Sequence, residues 1–266
     1  RADAVIQTNE SGFIIAGTGL NTRATSIVRI NNTGSQVWHI TNDLGAGFSH
    51  GSQAKSIIKL IDGNYLIGGF VGDTGFWKSH AYLLTVREDG TIKQLNKYGI
   101  DTLSERCYDM KITSDHGFIF VGWRYINPGG IADVYLVKTD SSGEQLWEKT
   151  YGGSDYDFAA SIDFTEDGGY VLGGRYTRSF GNAPYSMYLI KTDSNGNMQW
   201  QKTYGDTLKS YAVDMMTASD GGYIMAGGAY INADDLEACI VKTDKDGNLL
   251  WRKTFGSGTS GEELSG

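Results

Sequence analysis

Among its 266 residues the chain has proline only at Pro128 and Pro184 and cysteine only at Cys107 and Cys239. So little proline argues against Pro-rich disorder. Two cysteines are too few for a disulfide framework, and buried free thiols are the expectation for both. No stretch approaches the roughly 18 consecutive apolar residues of a membrane span, so the chain is read as soluble and not membrane-spanning. Lysine and arginine form no run, and the net charge is −8 with a pI near 5.0. A phosphate backbone is gripped mainly by clustered positive charge, so nucleic acid is not an expected partner.

Familiar catalytic and cofactor motifs are missing as well. His39, His50, His80 and His116 have no metal-ligand spacing, and there is no paired-cysteine motif. Neither a glycine-rich phosphate loop nor a nucleophile elbow occurs. Asp193-Ser194-Asn195-Gly196-Asn197 and Asp244-Lys245-Asp246-Gly247-Asn248 alternate oxygen-bearing side chains as a calcium loop does. Their glycine stands too early in the loop, and no closing glutamate follows, so both are read as plain turns. No cofactor and no metal are expected.

What is present is glycine, 37 residues of it, and a repeat. An aromatic follows a turn-like tripeptide at Phe13, Tyr65, Phe118, Tyr170 and Tyr223, with spacings of 52, 53, 52 and 53. Four residues beyond each stands a glycine: Gly17, Gly69, Gly122, Gly174 and Gly227. A second register places a turn glycine at Gly34, Gly90, Gly143, Gly196 and Gly247. Four residues past these come Trp38, Gln94, Trp147, Trp200 and Trp251, so the second copy alone departs from tryptophan.

Each unit contains four short apolar runs bounded by turn residues. The fourth copy shows them best, at Ala159 to Thr165, Tyr170 to Tyr176, Ser186 to Thr192 and Met198 to Tyr204. No window sustains a helical period with caps. Units of four antiparallel strands cannot bury both faces alone and must stack on their neighbours. The expectation is an all-β, five-bladed β-propeller over residues 1–266, with blades at about 1–42, 43–99, 100–152, 153–205 and 206–256 and a tail at 257–266. The repeated glycines should let neighbouring backbones approach, and the tryptophans should fill the wedge between blades.

Tyr151-Gly-Gly-Ser-Asp155, Asp167-Gly-Gly-Tyr170 and Lys191-Thr-Asp-Ser-Asn-Gly-Asn-Met-Gln-Trp200 carry a resemblance that covers essentially the whole chain. They resemble the β-propeller repeats of secreted and cell-surface proteins of bacteria and archaea. The resemblance implies a propeller fold and an extracellular or cell-surface setting, and it leaves the chemistry open. Five-bladed propellers of other families include tachylectin-type lectins and several glycoside hydrolases, a similarity of blade number only.

The copies also sort the loops. Hairpins between strands one and two and between three and four hardly vary, whereas the loop between two and three and the crossover to the next blade vary widely. The variable segments hold Phe70, Phe76, Trp77, Trp123, Arg124, Tyr125, Arg175, Tyr176, Arg178, Tyr185 and Tyr230, together with Asp73, Asp133, Asp234 and Asp235. Rings that can stack, mixed with fork-like arginines, suit a glycan or protein ligand. The crossovers add Phe48, His50, Tyr108, Asp155, Tyr156, Asp157, Lys209 and Tyr211. Asp109 and Asp214 hold equivalent places on the first strands of blades three and five, the carboxylates to inspect for glycoside hydrolysis, with polar channel lining as the plainer role. The expectation is a non-enzymatic binding module on the variable-loop face. A self-assembling structural or adhesin subunit and a polysaccharide-cleaving enzyme are the alternatives.

Overall fold

Short turn-bounded runs of β-branched and aromatic residues can satisfy their backbones only by pairing with one another, and the turns between them are tight enough to make hairpins. The computed structural model describes residues 1–19, 23–42, 44–45, 51–72, 78–127, 131–153, 156–177, 185–205, 209–232, 235–256 and 262–263. It is all β. The first blade comprises β1 (Ala2–Gln7), β2 (Phe13–Thr18), β3 (Thr25–Ile30) and β4 (Gln36–Asn42). The second comprises β5 (Ser52–Lys59), β6 (Tyr65–Gly72), β7 (Ser79–Val86) and β8 (Ile92–Tyr98). The third is β9 (Glu105–Ile112), β10 (Phe118–Tyr125), β11 (Ala132–Thr139) and β12 (Gln145–Tyr151). The fourth is β13 (Asp157–Phe164), β14 (Tyr170–Thr177), β15 (Tyr185–Thr192) and β16 (Met198–Tyr204). The fifth is β17 (Ser210–Thr217), β18 (Tyr223–Tyr230), β19 (Leu236–Thr243) and β20 (Leu249–Phe255), with β21 (Glu262–Glu263) added at its edge. In every sheet the strands follow one another as an antiparallel meander, and the fold is a five-bladed β-propeller.

The chain divides into two compact units, Arg1–Phe120 with Val137–Trp147, and Val121–Leu136 with Glu148–Gly266. In the first unit a core of Ile14, Ile27, Ile57, Tyr65, Ile67, Tyr82 and Leu84 lies between the first two blades. In the second, Val171, Met187, Leu189, Met215, Tyr223, Met225 and Val241 make the equivalent core between the fourth and fifth. First strands of successive blades lie side by side: Ser56 Oγ donates to Asp109 Oδ1 in the first unit, and Ser161 Oγ donates to Asp214 Oδ1 in the second. In the first and fourth blades the fourth strand alternates exposed and half-buried residues, as an outer strand should.

The repeated glycine has a more local reason than contact between blades. In the first strand of its own blade one residue is skipped in the pairing, between Ala54 and Ser56, Ala159 and Ser161, and Ala212 and Asp214. This β-bulge pushes a carbonyl toward the neighbouring strand, so that a Cβ on Gly174 would stand 1.9 Å from the oxygen of Phe158. The repeated tryptophan does bridge blades. Trp38 lies over Gly90 and donates from Nε1 to the carbonyl of Glu88 at 3.0 Å, and Trp200 lies over Gly247. Where the second copy has Gln94, its Nε2 donates instead to the carbonyl of Ser142 at 2.7 Å, and Asn96 covers Gly143.

The turns that alternate oxygen-bearing residues consume those oxygens themselves. Asp193 Oδ1 accepts from the amides of Asn195 and Asn197, and Asp244 Oδ1 from those of Asp246 and Asn248. These are Asx-type turns closed by a glycine at positive φ, 73° at Gly196. Cys107 and Cys239 are free and buried, as expected of thiols used as small apolar groups, and burial pushes the Cys107 thiol well up. Among the described residues no helix is long and apolar enough to cross a membrane.

Candidate functional site

An antiparallel meander brings the starts of its first and third strands and the ends of its second and fourth to one edge. That edge carries the variable loops. In the second unit, Phe158 and Tyr211 are the second residues of β13 and β17, and Phe158 pairs with Arg175 near the end of β14. Strand alternation sends these side chains to one face, where Trp123 and Tyr125 of β10, Tyr185 of β15 and the crossover residues Tyr156 and Lys209 join them.

The result is a continuous band of rings and cations. The ring of Trp123 lies 4.8 Å from that of Tyr125 and 5.8 Å, edge-on, from that of Phe158. Tyr156 is 6.3 Å from Tyr125 and stacks on Phe158 at 6.0 Å. The guanidinium of Arg175 is held between two rings, 4.6 Å from Phe158 and 4.8 Å from Tyr185. Tyr185 lies 6.2 Å from Tyr211, has the Lys209 ammonium 5.7 Å from its ring, and is pushed up in pKa by burial and by neighbouring Tyr230, with Arg175 opposing. Tyr125, Tyr156, Phe158, Arg175, Tyr185, Lys209, Tyr211 and Tyr230 are half-buried.

Several expected site residues have other positions. Phe70, Trp123, Arg124, Tyr125, Arg175 and Tyr176, expected on the variable loops, sit on strand ends. Trp123 and Phe70 are each only 5% exposed and act as floor beneath their neighbours. In the first unit Arg106 lies over the Phe70 ring at 4.1 Å. Arg124 makes a bidentate pair with Glu148 at 2.5 and 2.9 Å, while Tyr135 accepts from Arg124 at 2.9 Å and donates to Glu148 at 2.7 Å. A guanidinium so engaged is structural. Tyr176 faces Tyr188 at 5.4 Å, and Asp133, expected on a loop, is buried on β11. Phe76, Trp77, Arg178, Asp73 and Asp234, with Phe48, His50 and Asp155 of the crossovers, lie outside the described residues.

Phe158 and Arg106 were missed by the loop argument because they belong to strands. The signal was available: Gln53, Arg106, Phe158 and Tyr211 occupy the same place in successive repeats, and a position that varies on an otherwise regular first strand is as informative as a variable loop.

The carboxylates singled out earlier are fixed alike. Asp109 Oδ1 accepts from Ser56 Oγ at 3.2 Å and from the Met110 amide at 2.8 Å. Asp214 Oδ1 accepts from Ser161 Oγ at 3.0 Å and from the Met215 amide at 2.8 Å. Each carboxylate is therefore oriented by a serine of the preceding blade and by the amide of the next residue. Among the described residues no group of three or more His, Cys, Asp or Glu side chains could hold a metal ion.

No protein-family profile matches the chain, and no curated protein matches its sequence. Solved structures do match. One is a protein assigned as an exo-beta-1,3-galactanase from Bifidobacterium bifidum s17, with 10% identity over 98% of this chain and 90% of that one and a TM-score of 0.54. Another is a GH43 beta-1,3-galactosidase, with 11% identity over 90% of this chain and 55% of that one and a TM-score of 0.52. A third is an endo-1,4-beta-xylanase from Bacteroides thetaiotaomicron, with 12% identity over 97% and 94% and a TM-score of 0.50. At such identities the likeness is one of fold. It nevertheless corrects the expectation of a non-enzymatic binding module: the galactanase and xylanase scaffolds, matched over nine tenths or more of their length, are those of glycan-cleaving enzymes, and the enzymatic alternative is the one carried forward.

Proposed function

We propose that this protein cleaves a polysaccharide, holding the sugar chain against the aromatic and cationic band of its second unit. The observation that carries the reading is the unbroken run from Trp123 through Phe158 and Arg175 to Tyr185 and Tyr211. The apolar faces of pyranose rings stack on aromatic side chains, and an arginine already oriented between two rings can direct its donors at hydroxyls with little further loss of freedom. Half-buried rings supported by Trp123 offer that surface without having to reorganise. The finer site assignment follows: Tyr125, Arg175, Tyr185 and Tyr230 as contacts, with Tyr156, Phe158 and Tyr211 added.

Glycoside hydrolysis requires carboxylates to protonate the leaving oxygen and to attack or activate water. Asp214, in the same unit as the band, is the first residue at which we seek that chemistry, and Asp109 of the first unit is tested separately; each is oriented by a serine and an amide on a first strand. A polysaccharide substrate also agrees with an extracellular or cell-surface setting. The test is release of reducing ends from a panel of plant, algal and bacterial polysaccharides, repeated with Asp109→Asn and Asp214→Asn made separately. Release that is lost in either variant, with unchanged melting temperature, supports the reading. Failure to release reducing ends from any member of the panel overturns it.

A further inference from the structure

The edge of the blades opposite the variable loops is made of hairpin turns, and at each seam the turns of one blade face those of the next. In the first unit an arginine closes the seam between the first and second blades. Arg29 of β3 donates to Glu10 Oε2 of its own blade at 2.9 Å and, across the seam, to the Glu88 carbonyl at 2.9 Å and Glu88 Oε1 at 3.3 Å. In the second unit the places of Arg29, Glu10 and Glu88 are held by Lys191, Asp167 and Lys245, at the seam between the fourth and fifth blades. Two ammonium groups cannot join across a seam. Each lysine is matched instead by an acid of its own blade, Lys191 by Asp167 at 2.5 Å and Lys245 by Asp246 at 3.0 Å.

The unbridged seam opens as a pocket of about 230 Å³, lined by Glu166, Asp167 and Lys191 of the fourth blade and Tyr223, Lys245 and Asp246 of the fifth. Glu166 reaches across, its carboxylate oxygens 3.5 Å from where a Cβ on Gly221 would stand. Lys138 and Lys242, at the place of Lys191 in the third and fifth blades, fold back on their own hairpins and each spends a second hydrogen bond on the next residue's carbonyl, at 2.8 Å. Among the described residues Lys191 bonds only to Asp167, and the rest of its ammonium is left to the pocket. Tyr223 is 2% exposed, and its phenol has no hydrogen-bond partner among the described residues. Burial and the surrounding carboxylates of Asp167, Asp246, Glu166 and Asp244 push that phenol up to about 12, so at neutral pH it is a hydroxyl that can donate.

We propose that this pocket is a second sugar-binding site, which holds one neutral sugar residue at the hairpin edge of the fourth and fifth blades, away from the aromatic band. Its size sets the ligand: a pocket below the roughly 300 Å³ at which sites for drug-sized molecules begin has room for a single sugar ring. Its chemistry sets the class. Each sugar hydroxyl both donates and accepts, which suits a wall where carboxylates alternate with ammonium and phenol donors, and hydrogen bonds to charged groups are the strong ones. A small anion would meet three carboxylates, and an amine would meet two ammonium groups. Among the described residues no three acidic side chains converge on a metal ion. Glu166 accepts from a hydroxyl of the bound sugar, and Tyr223 donates to another oxygen from below. Nothing in this site depends on the cleavage proposed above.

The test titrates the isotope-labelled whole chain with D-glucose, D-galactose, D-xylose and L-arabinose, and separately with phosphate and with ethanolamine, while NMR follows the backbone amides of Gly221 and Asp246. At least one sugar should shift both signals, in wild type and equally in the band variant Tyr185→Ala. The dissociation constant read from those shifts should rise about tenfold in Glu166→Ala, the worth of one hydrogen bond to a charged group, and about fivefold in Tyr223→Phe. No shift with any of the sugars, shifts with phosphate or ethanolamine alone, or sugar binding unchanged in both pocket variants would overturn the proposal. Should Tyr223→Phe fail to fold, Glu166→Ala decides it, since the Glu166 side chain is exposed. Release of reducing ends is read separately: sugar-induced shifts at Gly221 in a chain that cleaves nothing would end the enzymatic reading and leave this site standing.

Discussion

The phenol of Tyr204 donates a 2.6 Å hydrogen bond to the carbonyl of Gly247, joining the last residue of one blade's outer strand to the turn of the next. The same bond runs from Tyr151 to Gly196 at 2.6 Å and from Tyr98 to Gly143 at 2.7 Å. All three phenols are buried, and burial raises their pKa. At Gly247 the ring of Trp200 lies over the same turn glycine, whereas at Gly143 Asn96 takes that place.

Tyr204→Phe should therefore lower stability by about 1 kcal/mol, since it deprives a buried carbonyl of its donor while keeping the ring. Trp200→Ala should cost more, about 3 kcal/mol, through the cavity it leaves against the fifth blade. Urea unfolding of the two variants checks the order.

Gly174→Ala should be among the most damaging single substitutions, costing about 3 kcal/mol or more, because its Cβ would overlap the Phe158 carbonyl at the bulge. Gly153→Ala is the control. Nothing lies within 4 Å of a Cβ there, and thermal melting should barely change.

Acid should act on the hairpin of the third blade. The Lys138 ammonium, 2.8 Å from Asp115, holds that carboxyl well below the usual carboxylate range, helped by the Thr113 hydroxyl and the Gly117 amide. A depressed carboxyl stabilises the fold above its unfolded pKa, and the contribution is lost as pH falls through its folded pKa. The Asp115 side chain is 56% exposed, so screening keeps the effect to about 1 kcal/mol or less. Melting curves of Asp115→Asn and wild type should differ most at neutral pH and converge below about pH 4.

The band makes a kinetic prediction. Tyr185→Ala removes the ring that Arg175 and Lys209 flank, and Arg175→Gln removes the cation while keeping hydrogen-bonding capacity. Each should raise KM on the cleaved polysaccharide by up to about tenfold, the worth of one stacking or cation–π contact, with a smaller change in kcat. Steady-state kinetics with both variants would show whether the band binds substrate as proposed.

The repeat, the four strands to a blade and the choice of hairpin turns were all readable from residue order, because each depends on neighbours close in sequence. The runs assigned in the fourth copy differ from β13 to β16 by no more than two residues at either end. Strand alternation likewise told which residues share a face. It could not tell what that face would meet. Phe70 and Trp123 look like free rings in the chain and are covered in the fold, whereas Phe158, inside a strand, is half-buried and joins the band. Glu166 and Gly221 belong to different blades, and nothing local marks them as neighbours. Their meeting depends on how one blade packs on the next, which is set by the summed fit of Trp, Tyr and glycine contacts along the whole seam, and that fit exists only once both blades have formed.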